Sequence, residues 1–361
     1  MTSTRLTRPK PDLNQTRQWV DAVMLEAYAQ VKIRNQHIIS TSWLLTKPYP
    51  DPVTNHQTHA LNLKALLALM LSVAMVTIDI SLTSTAVPAI ASGLGVSPAQ
   101  TIWVINIYYL TVVASLLPLG ALGEIIGHRR VFLVGLGIFA LGALASGLSE
   151  SLTALMGARG LQGIGSAAVS ATTPALIKTL YPSDRLGRGL GLYAMVVGVA
   201  FTAGPTMVSG VLSVANWPWL YLGTLPFILL AMALAIKGVP NTDRADRAFD
   251  PVAALLCALL FAALLTALSS LGHLKPLALM AGLIAAAVFG YSLARRESGK
   301  QAPILAIDLF RIRLFALSSM TSITAFVVQA LVFVVLPLLF TINLGFSEVQ
   351  AGLLITPWPA A

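Results

Sequence analysis

The stretch LMGARGLQGIGSA, residues 155–167, carries the feature that decides the fold of this chain. It places one arginine, Arg159, inside an otherwise uncharged apolar segment, and a guanidinium group stays protonated in a protein. A charge at bilayer depth costs at least roughly 2.5 kcal/mol, so such a residue faces a polar cavity or a partner and not lipid. Three glycines that follow let a neighbouring helix approach closely. The stretch therefore predicts a bundle of membrane helices around a buried charge.

The composition of the whole chain is that of a membrane protein. Of its 361 residues, 56% are hydrophobic and 10% are charged, whereas a soluble domain has about 25% charged residues. The net charge of +9 comes from short basic clusters between apolar segments, which is typical of cytoplasmic loops and not of a nucleic-acid surface. The single cysteine, Cys257, excludes a disulfide framework and a thiol metal cluster. We therefore expect no metal, no cofactor and no nucleic-acid partner.

Apolar segments of about 20 residues, the length that crosses a bilayer core of ~30 Å, recur from Lys64 onward. Basic residues cluster in the loops after even-numbered segments, whereas loops on the opposite side carry almost none. By the positive-inside rule, the even-numbered loops and the N-terminus are cytoplasmic, in a multi-pass protein of the cell membrane. The predicted spans lie near residues 64–90, 101–122, 131–149, 153–177, 189–212, 217–236, 252–272, 276–294 and 316–340, with the start of a tenth near 347.

Residues 1–60 differ from the rest of the chain. They are polar, are broken by prolines and lack the apolar core of a signal peptide near the start. We expect a disordered cytoplasmic tail. The alternative is an interfacial or regulatory arm, because apolar residues recur on one face of a helix over residues 13–33.

The first predicted span contains a second intramembrane charge, Asp79, within TIDISLTSTAVPAI, residues 77–90. Hydroxyl side chains follow it and Pro88 lies near the outer end, so a helix loosened there can line a polar cavity. A carboxyl group at this depth can load and release a proton, so Asp79 and Arg159 in one helix bundle indicate a pathway that moves protons or ions. The alternative is a structural carboxylate that pairs with a neighbouring helix, but acids this deep in a span are usually functional.

The junction of the second and third predicted spans reads GALGEIIGHRRVFLVG, residues 120–135. Its glycines permit a tight turn, its acidic residue can face a basic neighbour, and its arginines can anchor at the lipid surface. Taken alone, this stretch predicts only a cytoplasmic turn.

The fifth predicted span contains VVGVAFTAGPTMVSG, residues 196–210. Its glycines and its proline give a smooth helix face and a point where the helix can bend. The segment predicts either a helix-packing interface or a hinge that helps to close one side of a cavity.

In order and spacing, these four stretches resemble the motifs of the major facilitator superfamily. Within it, they resemble the fourteen-span drug:proton antiporters of the multidrug and quaternary-ammonium efflux group. Residues 155–167 are similar to the span-four motif l-x-x-x-R-x-x-q-G-x-G-a-a, with Arg159, Gln162 and Gly163 at its named positions. The resemblance covers about residues 64–361.

Two further motifs carry the resemblance with conservative changes. Residues 120–130 are similar to the loop motif G-x-L-a-D-r-x-G-r-[KR], with Glu124 in place of the usual aspartate. The first span is similar to D-x-T-x-x-N-x-A-x-P from Asp79 onward, with Ser81 and Ser84 in place of the threonine and asparagine.

The fifth span departs further from the family pattern. Residues 203–210 resemble the antiporter signature G-P-x-x-G-G, but Val208 and Ser209 stand where the paired glycines are usual. The usual W-R-W after this span reads W-P-W at residues 217–219.

The resemblance implies an all-α polytopic membrane protein of the major facilitator fold. It has a complete N-terminal six-helix bundle, a pair of linker helices and the start of a second bundle. The implied divisions are a tail at 1–60, the first bundle at 61–236, a loop at 237–251, the linker pair at 252–294, a basic loop at 295–315 and an incomplete second bundle at 316–361.

The resemblance also implies roles for individual residues, in a monomer that exchanges protons for cationic or lipophilic small molecules. Asp79 is expected to carry the proton, and Arg159 to modulate its affinity for that proton. The residues expected to form a cytoplasmic latch are Gly120, Gly123, Glu124, Gly127, Arg129 and Arg130. The residues expected to line the substrate cavity are Trp103, Tyr108 and Gln162. The two aromatic residues would contact an organic cation by cation–π attraction; the alternative is that they pack or lie at the membrane interface. Those expected to pack helices or form a hinge are Gly163, Gly198, Gly204, Pro205 and Gly210.

Other interpretations stay open. A fourteen-span protein needs roughly 150 further residues, so we expect an incomplete version of the transporter. The alternatives are a carrier for a metabolite and a truncated remnant that does not transport. A membrane enzyme is disfavoured, because it needs a cluster of acids, histidines or a nucleophile with its base, and His128 and His273 fall on opposite sides of the membrane.

Overall fold

The computed structural model describes residues 62–182, 184–246, 248–272, 276–298, 303–305 and 307–338. Over these ranges the regular secondary structure is helical, without a strand, and the all-α prediction is confirmed. The helices are α1 (Leu63–Thr85), α2 (Val87–Leu94), α3 (Pro98–Ile126), α4 (His128–Gly147), α5 (Leu152–Leu180), α6 (Leu186–Leu212), α7 (Trp219–Leu222), α8 (Leu225–Gly238), α9 (Pro251–Gly272), α10 (Pro276–Glu297) and α11 (Arg313–Leu338), with a 3-10 helix at Ile307–Arg311. The predicted tail and the predicted tenth span lie outside the described residues.

Within the described part of the chain, seven helical segments are long and apolar enough to cross a membrane. Helix α5 is not among them, although it has 29 residues. It carries Arg159, Gln162 and many glycine, serine and threonine residues, which lower its hydropathy. Because both Arg159 and Gln162 are buried in the bundle, the helix with the deciding arginine depends on its neighbours to shield it from lipid.

The first predicted span is broken into two helices. Helix α1 ends at Thr85 and α2 begins at Val87, with Ala86 between them at φ −86° and ψ 3°. The cause is Pro88, because a proline ring collides with the carbonyl four residues earlier in a continuous helix and is tolerated in a first turn. Three hydroxyl groups just before the break, those of Thr83, Ser84 and Thr85, donate hydrogen bonds to backbone carbonyls one turn back in α1.

Helix α5 lies at the centre of the first bundle, where it packs against α3 and α4 and also contacts α1. Glycines permit this close approach. A Cβ atom at Gly142 of α4 would lie 2.6 Å from Cα of Gln162, and one at Gly163 of α5 would lie 2.7 Å from the carbonyl oxygen of Tyr108. Larger side chains at these two positions would push the helices apart. The glycines thus fix the height and distance at which α5 presents its polar side chains.

Helices α9 and α10 form a hairpin whose first helix packs against α3. The Asp250 carboxylate accepts the backbone N–H of Ala253 at 3.0 Å and pairs with Arg296 at the end of α10, with Nε 2.9 Å from Oδ2. Ala253, Cys257 and Leu293 form a small core of their own. The two helices predicted as a linker pair are therefore joined both by this core and by a half-exposed ion pair.

Candidate functional site

Asp79 and Arg159 form an ion pair in the interior of the first bundle. Nη1 of Arg159 donates a hydrogen bond to Oδ2 of Asp79 at 2.7 Å, and both side chains are 1% exposed. Asp79 lies on α1 and Arg159 on α5. Withdrawing two such charges from water costs several kcal/mol per ion, which is repaid only when the geometry is close and further hydrogen bonds are made.

Gln162 supplies those further hydrogen bonds. Its Nε2 donates to Oδ1 of Asp79 at 2.9 Å, while its Oε1 accepts from Nη1 of Arg159 at 2.7 Å. The hydroxyl of Ser146 on α4 also donates to Oε1, at 3.4 Å. An amide carries both a donor and an acceptor, so this one side chain bonds to each member of the pair. Gln162, predicted to line a cavity, is fully buried in this conformation.

Two tyrosine rings flank the guanidinium group of Arg159. Cζ of Arg159 lies 4.2 Å from the centroid of the Tyr108 ring and 5.4 Å from that of Tyr221, both within the range of a cation–π interaction. The hydroxyl of Tyr108 donates to Oγ of Ser166 at 2.8 Å, which fixes the ring. Nε of Arg159 is buried and has no hydrogen-bond partner among the residues that the structure describes. The rings therefore supply part of the stabilisation that the guanidinium lacks at this edge.

Trp103, also predicted for the cavity, lies in a different environment. It is 45% exposed, whereas Tyr108 on the same helix is 1% exposed. Five residues along an α-helix turn the side chain by roughly 140°, so the two residues lie on different faces. The structure therefore groups Tyr108 and Gln162 with the ion pair and leaves Trp103 outside it.

The turn between α3 and α4 contacts the end of α8 and the segment that follows it. Gly127 has a positive φ of 99°, which a glycine adopts without strain. The carbonyl of Glu124 accepts the N–H of Ala245 at 2.7 Å, and the guanidinium of Arg129 donates to the carbonyl of Ile236, also at 2.7 Å.

Two more hydrogen bonds extend this contact. The backbone N–H of His128 donates to the hydroxyl of Thr242 at 2.8 Å, and Nη1 of Arg129 donates to Asn241 at 3.1 Å. Arg130 is exposed. The predicted latch residues thus meet a partner segment, 236–245, that the sequence did not indicate.

The remaining predicted latch and packing glycines differ in their surroundings. A Cβ atom at Gly123 would lie 2.6 Å from the His128 ring, whereas one at Gly120 would make only an ordinary 3.8 Å contact. Gly123 therefore admits the turn into α4, and Gly120 tolerates a small side chain.

Helices α1 and α6 meet at Ser81 and Gly204. The Ser81 hydroxyl donates to a backbone carbonyl of α6 at 2.8 Å, and a Cβ atom at Gly204 would collide with the Ser81 side chain. Gly198 is half-buried on the same helix. Helix α6 continues through Pro205, and a Cβ atom at Gly210 would have no neighbour within 4 Å in the described part of the chain. The close contact predicted from this segment therefore rests on Gly204.

Sequence reasoning missed three polar residues around the pair, and tertiary distance explains why. Ser146, Ser166 and Tyr221 lie on two helices and a short connecting helix, and none stands at a motif position that names a polar role. Thr83 belongs to the hydroxyl side chains that were predicted to line a polar cavity. The one available signal was Tyr221, because a tyrosine hydroxyl in an apolar segment needs a hydrogen-bond partner when it is buried.

Comparison with known proteins gives a family match and several curated relatives. Residues 69–361 match the family described as the Major Facilitator Superfamily. The chain is 41% identical to the "Uncharacterized transporter YebQ" of Escherichia coli (strain K12), over 82% of this chain and 66% of the relative.

Two other relatives bear different names. The chain is 28% identical to the "Riboflavin transporter RibZ" of Clostridioides difficile (strain 630), over 81% of this chain and 64% of the relative. It is 31% identical to the "Putative multidrug resistance protein MdtD" of Shigella flexneri, over 78% of this chain and 60% of the relative. The chain thus spans just under two thirds of the length of these relatives.

Proposed function

Because the chain belongs to the major facilitator superfamily, we propose that the protein acts as a proton-coupled antiporter that exports cationic or lipophilic compounds across the cell membrane. The family match also sets aside the membrane-enzyme interpretation. The observation that carries the proposal is the ion pair between Asp79 and Arg159, both 1% exposed, inside a bundle of apolar helices.

Protonation of Asp79 would remove the negative charge that compensates Arg159 inside the bundle. Arg159 remains protonated, so a neutral Asp79 leaves a buried positive charge without its partner, which is strongly unfavourable. A conformation that opens the space between α1 and α5 to water or substrate would relieve this cost. Proton binding would in this way favour one conformation over another.

A cationic substrate and a proton would compete for the same carboxylate. Either one neutralises Asp79, so binding of one disfavours binding of the other, and this competition is the requirement for exchange. The relative named as a putative multidrug resistance protein, 31% identical to the chain, supports export of foreign compounds. Trp103 is our candidate for an aromatic contact with the substrate, because its ring is the most exposed of the three aromatic rings on α3.

The turn between α3 and α4 would control the conformations from the cytoplasmic end. The Glu124 carbonyl accepts from Ala245 after α8, and Arg129 donates to Ile236 near the end of α8, so hydrogen bonds hold this end of the bundle together in the present conformation. Arg130 would contact lipid headgroups, and Gly127 would keep the turn tight. These residues would bias the inward and outward states without touching the substrate.

A second candidate function is a carrier for a metabolite. It is favoured by the relative named as a riboflavin transporter, which is 28% identical to the chain. A neutral or anionic metabolite would not compete with a proton for Asp79 by charge. The two candidates therefore differ in how substrate and proton affect each other.

Transport by the complete gene product in everted membrane vesicles tests the proposal. With an imposed proton gradient, we expect accumulation of ethidium, and collapse of the gradient should release it. Asp79→Asn should reduce gradient-driven accumulation at least about tenfold, which corresponds to a loss of ~1.4 kcal/mol.

The matched control is Asp250→Asn. Asp250 also belongs to an Asp–Arg pair, but Arg296 in that pair is 44% exposed, and exposed pairs contribute little. This variant should transport within about twofold of the unmodified protein. Gradient-driven export that survives in Asp79→Asn contradicts the proposal, and accumulation of riboflavin in place of ethidium favours the second candidate.

A further inference from the structure

The connection between α6 and α8 packs onto one end of the first bundle. A Cβ atom at Gly93, near the end of α2, would collide with the Trp217 indole, and one at Gly147, the end of α4, would lie 2.5 Å from Cγ of Leu222. Because α3 starts and α4 ends here, this is the end of the bundle opposite to the Gly127 turn. The glycines leave no room for the connection to shift inward.

This packing inserts Tyr221 into the bundle, where it is 1% exposed. Its ring meets the Trp217 ring edge-to-face, with centroids 6.3 Å apart. On its other side lies Arg159, with Cζ 5.4 Å from the Tyr221 centroid. The ring is therefore fixed by the connection and presented to the guanidinium.

The hydroxyl of Tyr221 reaches the other helix of the ion pair. It lies 3.4 Å from Oγ1 of Thr83, and this Oγ1 donates its own hydrogen to the carbonyl oxygen of Asp79 at 2.8 Å. A threonine hydroxyl has one hydrogen, so Tyr221 is the donor to Thr83. Tyr221 thus contacts Arg159 through its ring and the backbone of Asp79 through Thr83.

We infer that Tyr221 is a positioning residue of the coupling pair, which holds the Arg159 guanidinium in place when Asp79 is neutral. The inference rests on the proposed function and names a residue that this function needs. The attraction between a cation and an aromatic face does not depend on whether Asp79 carries a proton. Tyr108 acts from α3 in the same way, so the two rings keep Arg159 where it can pair again once the proton leaves.

The structural test places Tyr221 variants in an Asp79→Asn background, where the carboxylate is permanently neutral. The measurement is the hydrogen-exchange rate of the Arg159 Nε–H by NMR in nanodiscs, with the signal identified by its absence from Arg159→Lys. Tyr221→Leu, which removes the ring, should speed exchange about 3- to 30-fold, as expected for loss of a desolvated cation–π contact. Tyr221→Phe, which keeps the ring, should change it less than about twofold.

Two further variants separate positioning from packing. Phe132→Leu removes a fully buried ring from the same hydrophobic core and should leave the Arg159 signal unchanged. Should Tyr221→Leu fail to fold, Tyr221→Met fills more of the volume and carries the same expectation. In the Asp79→Asn background, an Arg159 exchange rate that is the same with Tyr221 intact, with Tyr221→Leu or Tyr221→Met, and with Tyr221→Phe overturns the inference.

A transport measurement keeps this inference distinct from the proposed function. Tyr221→Leu should lower the turnover of gradient-driven ethidium transport about 3- to 30-fold with little change in KM. Tyr221→Phe, which keeps the ring, should retain the turnover of the unmodified protein. Faster exchange in a protein that shows no gradient-driven transport leaves the positioning role standing and overturns the proposed function. An Arg159 exchange rate that Tyr221→Leu leaves unchanged, in a protein whose gradient-driven transport is intact, overturns the positioning role and leaves the proposed function standing.

Discussion

Neutralising one member of the buried pair should cost more stability than neutralising both. Asp79→Asn keeps the side-chain shape but leaves the Arg159 guanidinium, which is 1% exposed, without a counter-charge. Removing one partner of a buried ion pair typically costs about 3–5 kcal/mol. The asparagine retains an oxygen that can accept from Gln162 or Arg159, so we expect about 3 kcal/mol, the lower end of that range.

The double variant Asp79→Asn/Arg159→Gln should recover most of this loss. No uncompensated charge remains, and three neighbouring amides can hydrogen-bond to each other and to Ser146, whose hydroxyl already donates to Gln162. Replacing a buried pair by neutral groups is often close to neutral in stability, so we expect a net cost of about 1 kcal/mol or less. The double variant should then be more stable than Asp79→Asn by about 2 kcal/mol or more.

Thermal unfolding in detergent, followed by tryptophan fluorescence, measures these differences. At roughly 2–4 °C per kcal/mol, the single variant should melt about 6–12 °C lower than the unmodified protein and the double variant less than about 4 °C lower. Asp250→Asn, whose partner is half-exposed, should lower Tm by less than about 4 °C. A double variant that melts as low as Asp79→Asn would refute the account of the pair as mutually compensating buried charges.

Two other predictions concern packing and the predicted latch. Gly142→Ala should destabilise the bundle by about 1–3 kcal/mol and also weaken proton coupling, because the new Cβ would lie 2.6 Å from Cα of Gln162. Thermal unfolding and vesicle transport together check this. The control is Gly137→Ala, where a Cβ has no neighbour within 4 Å among the described residues. Thr242→Val should cost about 1 kcal/mol and speed hydrogen exchange at the amide of His128, which donates to Thr242 at 2.8 Å; an unchanged rate would show that this contact does not hold the turn.

The sequence allowed the fold class to be predicted because the spans are long and strongly apolar. The helix boundaries were predicted less accurately than the fold class. The first span was predicted as one segment, although Pro88 was noticed, because a sequence does not tell whether a proline bends a helix or divides it. Here the division falls at Ala86.

The candidate site was predictable in its charges and not in its contacts. Asp79 and Arg159 stood out because charges are rare in apolar spans. Gln162 lies three residues after Arg159 and therefore on the same face of α5, so its presence beside the pair follows from helix geometry. Its bonds to both charges depend on how closely α1 approaches α5, which no pattern along the chain encodes.

Tyr221 and the segment that contacts the turn between α3 and α4 were not predictable. Tyr221 is 62 residues after Arg159, and its position depends on the close contacts at Gly93 and Gly147. Likewise, Arg129 was expected to lie at the lipid surface, and its guanidinium instead donates to the carbonyl of Ile236. Contacts between distant parts of the chain depend on three-dimensional packing, whereas a sequence motif indicates only the local structure of its own segment.

Proton release on substrate binding tests the central claim most directly, since that claim is competition between a proton and a cation for Asp79. The complete gene product, purified in weakly buffered detergent solution, is mixed with tetraphenylphosphonium, and the pH is followed with an indicator dye. The account predicts release that reaches about one proton per bound cation at a pH where Asp79 is protonated, and none from Asp79→Asn. Release of the same size from Asp79→Asn, or cation binding to the unmodified protein without release at any pH, would contradict it.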